Sequence, residues 1–245
     1  MRNVLAGLIF MIGTGSAWSQ SGELAGLASE TLEASGAPAV GVLRLNEGEH
    51  TIAVDGLRAI RGDADVREDD LWHMGSNTKA MTAVLVARLV EQGVIGWDDT
   101  VTQHLGAHIE GIDGHWDQVN FLHLLSHRSG LRANVNNVDM IRFGVRGASD
   151  EPIAEQRLDY ARRVLTETPQ GLAETEFLYS NAGYVVAGAM LEAATGESWE
   201  SQMRREVFEP LGLASAGFGS PGTAGMVDQP RGHRGGMFGG LSAVE

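Results

Sequence analysis

Ser76-Asn77-Thr78-Lys79 places a hydroxyl three residues before the only lysine in the chain. Serine fills fifteen of 245 positions, so a serine at that spacing would arise by chance about 6% of the time. On a helix, residues i and i+3 share a face, with Cβ atoms about 5–6 Å apart. The Lys79 amine can therefore reach the Ser76 hydroxyl. A helix N-terminus favours developing negative charge, and a backbone N–H there can serve as half of an oxyanion hole. Desolvation disfavours an ammonium, so a partly buried Lys79 could accept the Ser76 proton and activate the nucleophile. The plain alternative makes Ser76 or Thr78 a helix cap and Lys79 a surface charge.

A second polar cluster, Tyr179-Ser180-Asn181, stands just before an apolar helical stretch. A phenol held beside positive charge can ionise or shuttle protons. Asn181, two residues on, turns to the same side of an extended backbone. It could hydrogen-bond a substrate amide or the Lys79 amine. Alone, Tyr-x-Asn reads equally as a polar turn carrying a buried tyrosine.

Other hydrolytic chemistries find less support. Gly-x-Ser-x-Gly does not occur, which disfavours a nucleophile elbow. His104/His108 and His123/His127 have the i,i+4 spacing of zinc ligands. Neither pair belongs to a His-Glu-x-x-His, so metal hydrolysis is a minor reading. The chain has no cysteine, which excludes thiolate catalysis, disulfides and Cys-ligated zinc.

The elements that would carry these residues follow from periodicity. Residues 22–36 read as a helix with Leu24, Leu27, Ala28 and Leu32 on one face. Ala39–Leu45 and His50–Val54 read as a hairpin turning at Glu47-Gly48. Thr78–Gln92 is a strong helix, apolar on most faces, which predicts extensive burial. Further helices are expected near 119–126, 151–166, 183–195 and 198–208, and a Gly-rich loop over 217–240. Two strands alone make a poor sheet, so the chain is expected to lack later strands of its fold.

The 245 residues carry a net charge of −14, spread without long runs. That argues against nucleic acid as a partner and reads as solubility. Arg2, the apolar run Val4–Ile12, and Ala17 and Ser19 before Gln20 have the layout of a signal peptide over residues 1–19. The expected destination is the periplasm or the exterior, with no stable membrane insertion after cleavage.

Taken together and in order, these motifs resemble the serine β-lactamase and penicillin-binding protein superfamily, which includes class C β-lactamases, D-Ala-D-Ala carboxypeptidases and family VIII esterases. Leu71–Thr82 resembles its nucleophile segment. Leu124-Leu125-Ser126-His127-Arg128-Ser129-Gly130-Leu131 resembles its Leu-Leu-Thr-His-Thr-Ser-Gly-Leu. Phe177–Tyr184 resembles the surroundings of its Tyr-x-Asn, and Pro210-Leu211-Gly212 falls where members carry the same tripeptide. The resemblance covers roughly residues 22–215.

It implies an α+β fold, with an all-α region inserted into an α/β region that has an antiparallel sheet. It implies Ser76 as nucleophile, Lys79 as its base, Tyr179 as proton shuttle to the leaving group, and Asn181 as orienter of substrate and Lys79. It implies a small-molecule or peptidoglycan-like substrate (a β-lactam, an ester or a D-amino-acid amide) and no metal or organic cofactor. Binding of a penicillin or peptidoglycan without turnover is the non-enzymatic alternative. The family's third motif, Lys-Thr-Gly or His-x-Gly, should lie on a late strand. A second lysine is absent, and His233-Arg234-Gly235 is discounted because it follows Tyr179 closely and lacks a strand pattern. Residues 20–245 are therefore expected to form one hydrolase domain incomplete at its C-terminus, weakly active or inactive alone.

Overall fold

The structure is a computed structural model, and it describes residues 17–146, 150–174, 176–235 and 241–244. In chain order the elements are α1 (Ala17–Ser35), β1 (Ala39–Asn46), β2 (Glu49–Gly56), α2 (Thr78–Glu91), α3 (Val101–Leu105), α4 (Phe121–Leu125), α5 (Asn137–Arg146), α6 (Ile153–Leu165), α7 (Asn181–Thr195), α8 (Trp199–Met203), β3 (Gly232–Gly235) and β4 (Leu241–Val244). Short 3-10 turns span Gly75–Asn77 and Gly114–Gln118, and a π turn, Arg204–Phe208, continues α8. The chain divides into two compact units: residues 1–73 with 217–245, and residues 74–216.

In the first unit β1 and β2 pair antiparallel from Ala39↔Gly56 to Asn46↔Glu49, with Glu47-Gly48 as the expected turn. Leu24 and Ala28 of α1 pack with Ala53 of β2, and Leu27 and Val42 close around them. Asp70 is buried and takes both Arg58 Nε (2.9 Å) and Nη2 (2.6 Å), as well as the Arg67 N–H. That guanidinium holds the Asp70 carboxyl below the usual carboxylate range. The helix expected at 22–36 begins earlier, at Ala17. The apolar run of the expected signal peptide lies outside the described residues. No helix among the described residues is long and apolar enough to cross a membrane.

Two expectations for the late chain are corrected. Residues 217–240 are not all loop, since β3 lies within them and pairs antiparallel with β4 from Gly232↔Val244 to Gly235↔Leu241. His233-Arg234-Gly235 is therefore on a short strand, but among the described residues β3 and β4 form a separate two-stranded pair, and the main sheet stays truncated at β1 and β2, as expected. A Gly-rich strand four residues long has little alternation to read, and only its partner defines it. The His233 Nε2 accepts the Ile60 N–H (2.9 Å), and the Arg231 N–H donates to the Arg58 carbonyl.

The second unit is helical and is built around α7. Ala182, Gly183, Val186, Ala187, Gly188, Ala189, Met190 and Leu191 are all buried, so neighbours pack on most of its circumference. Helices α2, α3, α4, α6 and α8 all contact it. Its small residues permit that closeness; a Cβ on Gly188 would meet Arg157 Cδ at 3.0 Å. Helix α2 is less buried than expected. Thr82, Leu85, Val86 and Leu89 form one buried stripe, while Val84 is exposed.

Candidate active site

Gly75, with φ of +54°, turns the chain into the 3-10 turn that carries Ser76; a side chain there would be strained. The turn runs directly into α2, so Ser76 is exposed at the start and Lys79 is half-buried one turn later. The other two residues come from more than a hundred positions along. Tyr179 is the exposed end of an extended run, and Asn181 is the first residue of α7.

These four side chains meet. The Ser76 hydroxyl lies 2.8 Å from the Tyr179 hydroxyl. The Lys79 amine lies 3.3 Å from Ser76 Oγ and donates to Asn181 Oδ1 at 2.7 Å. The same amine stands 4.9 Å from the centre of the Tyr179 ring and 5.6 Å from that of Tyr184. Hydrogen bonding from Lys79 and then from Ser76 draws the Tyr179 phenol below the usual phenol range. The helix-cap alternative for Ser76 fails, because Asn77 is the N-cap residue of α2 and no side-chain bond caps the helix there.

Residues 127–134 form a bed for this arrangement. Gln170 and Gly171 donate backbone N–H groups to the Gly130 carbonyl, Glu174 to that of Arg128 and Leu178 to that of His127. The N–H groups of Asn181 and Ala182 both reach the Ala133 carbonyl. Between Tyr179 and Asn181, the fully buried Ser180 hydroxyl donates to the Arg132 carbonyl (2.6 Å) and accepts the Gly183 N–H (2.9 Å), capping α7. Asn134 Oδ1 accepts from Asn181 Nδ2 at 2.9 Å, which fixes the amide so that its oxygen faces Lys79. An open cavity of about 580 Å³ adjoins the bed, lined by Arg132, Asn134, Asn137, Met140 and Gln170 among others.

The chain matches the Beta-lactamase family model over residues 24–237. It belongs to that family. Esterase EstB of Burkholderia gladioli is 31% identical over 168 residues, which is 66% of this chain and 42% of the esterase. Among solved structures, the octameric penicillin-binding protein homologue from Pyrococcus abyssi aligns with a TM-score of 0.71 at 24% identity, covering 91% of this chain and 50% of that one. The D-amino acid amidase from Ochrobactrum anthropi SV3 aligns at 0.69 and 23% identity, covering 92% and 61%. The fold is thus the β-lactamase/transpeptidase fold, mixed helix and antiparallel sheet, as the motifs implied. The chain spans less than half the length of the curated relatives it matches.

Sequence reasoning missed Ser180, Asn134 and the place of His127. The spacing of His123 and His127, set aside there as a minor metal reading, serves other bonds. His123 Nε2 bonds Glu174 (2.9 Å) and its Nδ1 accepts the Asn120 N–H, while His127 turns to the Ser180 N–H. His104 bonds Asp99 and His108 is exposed. Among the described residues no three of His, Cys, Asp and Glu gather as metal ligands would. The signal for the bed lay in the Leu124–Leu131 segment, whose likeness to the family was legible although its task was not.

Proposed function

We propose that this chain carries the acylating half-site of a serine hydrolase. Ser76 Oγ attacks an acyl carbon, and its proton passes to the Lys79–Tyr179 pair. The C–O bond of the acyl-enzyme forms as the bond to the leaving group breaks, and Tyr179 returns the proton to that group. Water then cleaves the Ser76 ester, releasing the acid and restoring the serine. Asn181 holds the Lys79 amine and offers its remaining capacity to a substrate amide. The substrate is a β-lactam, an ester or a D-amino-acid amide, chemistries that share the acyl-serine route. An exported protein acting in the periplasm or outside the cell fits the N-terminal sequence.

The observation that carries the reading is the 2.8 Å approach of Tyr179 to Ser76 with Lys79 beside both. A nucleophile within reach of a base, itself oriented by a third group, is the signature of an activated serine. The family supports it, as do the esterase and the amidase among its relatives.

Intact-mass measurement after incubation with a penicillin, a short p-nitrophenyl ester and a fluorophosphonate tests it. A one-to-one adduct on the wild-type chain, absent from Ser76→Ala, is expected from at least one of the three. An adduct that persists with the penicillin and turns over with the ester would assign hydrolysis to esters and binding to β-lactams. No adduct from any reagent, or an adduct surviving Ser76→Ala, refutes the proposal.

A further inference from the structure

His127 sits in left-handed backbone, with φ of +60°, a conformation uncommon for residues other than glycine and costing about 1–2 kcal/mol. Such outliers persist where the surroundings over-determine them, and they cluster at functional sites. Here the surroundings are the run that carries Tyr179. The Leu178 N–H donates to the His127 carbonyl at 2.8 Å, and the Ser180 N–H donates to His127 Nδ1 at 3.1 Å. One residue thus grips the backbone on both sides of Tyr179. Its ring also lies against Tyr179, with centres 4.5 Å apart and planes at 36°, and meets the edge of Phe177 at 5.5 Å.

We propose that His127 is a positioning residue that sets the Tyr179 phenol against Ser76, and that it works only with an unprotonated Nδ1. The proposal rests on the reading of Tyr179 as the proton relay of the acylation step. The accepted Ser180 N–H assigns the ring: Nδ1 must keep its lone pair, so any single ring proton resides on Nε2. The titratable groups facing the ring are the Lys79 amine from α2, Tyr179, and the Tyr184 phenol from α7, whose ring lies 5.3 Å away. Among the described residues no carboxylate acts on the ring to hold a proton there. Burial, and then the Lys79 charge, push the imidazole below its ordinary value. The sign follows: above pH 6.5 Nδ1 is free and the grip is intact. As pH falls through the lowered value, the imidazolium loses its acceptor and is repelled by Lys79.

The chain's three tyrosines make a direct test possible. Tyr160 and Tyr184 are raised by burial and Tyr179 alone is drawn down, so near-ultraviolet phenolate titration of the full chain isolates Tyr179, with Tyr179→Phe as control. His127→Gly keeps the backbone conformation and the carbonyl bond while removing the ring. His127→Asn also tolerates this backbone and returns an acceptor near the position of Nδ1, one that does not titrate. In His127→Gly the low phenol midpoint should move up toward the usual value of about 10. Fluorophosphonate labelling of Ser76 should slow on the order of tenfold to a hundredfold. His127→Asn should restore most of both and lose the acid limb of the labelling rate. Wild-type behaviour in His127→Gly, or an Asn variant no better than the Gly variant, overturns the proposal. Labelling that survives Ser76→Ala would instead overturn the functional reading, and the phenol titration judges His127 independently of it.

Discussion

Ser180→Ala should cost the helical unit about 1.5–2.5 kcal/mol. The hydroxyl is fully buried and makes two bonds, accepting the Gly183 N–H and donating to the Arg132 carbonyl. Losing a serine N-cap costs typically ~1 kcal/mol. Losing the bond to the half-buried Arg132 carbonyl adds about 0.5–1.5 kcal/mol. Alanine is otherwise nearly isosteric, so no large cavity offsets or inflates the sum. Against a total stability of about 5–15 kcal/mol this is a sizeable fraction. Urea unfolding followed by tryptophan fluorescence measures it, with Trp116, itself buried, as an internal reporter. The transition midpoint should fall with the slope unchanged, as expected for a loss of native-state bonds alone. A loss below about 0.5 kcal/mol would refute the reasoning, because it would mean that neither bond is made in a dry environment. The bonds flank Tyr179 and Asn181 in sequence, so slower fluorophosphonate labelling of Ser76 should accompany the loss.

Tyr179→Phe removes the hydroxyl 2.8 Å from Ser76 Oγ; the acylation rate should fall by about 10²–10⁴-fold, while unfolding shifts by less than about 0.5 kcal/mol because the side chain is exposed. A wild-type acylation rate would remove Tyr179 from the relay. Gly130→Ala should destabilise severely, since the residue has φ of +77° and an added Cβ would fall 2.1 Å from the Gly171 carbonyl oxygen. Gly111→Ala, at φ of +75° with nothing within 4 Å, separates backbone strain, about 1–2 kcal/mol, from that collision, and equal urea midpoints for the two variants would contradict it.

Much of the site was legible because it is carried by local patterns. Ser76 and Lys79 share a helix face by spacing alone, and α2, α6 and α7 announce themselves by apolar period and stop signals. The convergence of Tyr179 and Asn181 on that face was not derivable from spacing and came through the family resemblance. The bed beneath them was hidden for a physical reason. Most of its bonds are backbone to backbone, from residues 170–182 to carbonyls at 127–133, and backbone groups carry no signature in the sequence. The place of His127 was hidden for a related reason: it lies past the end of α4 in left-handed backbone, and its bonds run to the backbone at 178 and 180. Helix α3 was overlooked although Thr100-Val101-Thr102-Gln103 spells the capping box that begins it. Strand β3 needed β4 before it could be recognised at all.

The solitary lysine has a practical consequence. Apart from the chain's N-terminus, Lys79 is the only primary amine the protein presents. It stands between a hydroxyl, a carboxamide oxygen and the faces of two aromatic rings. Dyes, biotin or surface linkers applied through ordinary amine coupling would strike the candidate site and nothing else along the side chains of this chain. The same singularity makes the site spectroscopically isolated. Reductive methylation with isotope-enriched formaldehyde would install one side-chain magnetic resonance probe, displaced by the ring currents of Tyr179 and Tyr184. A ligand arriving at Ser76 would then be visible against an almost empty background.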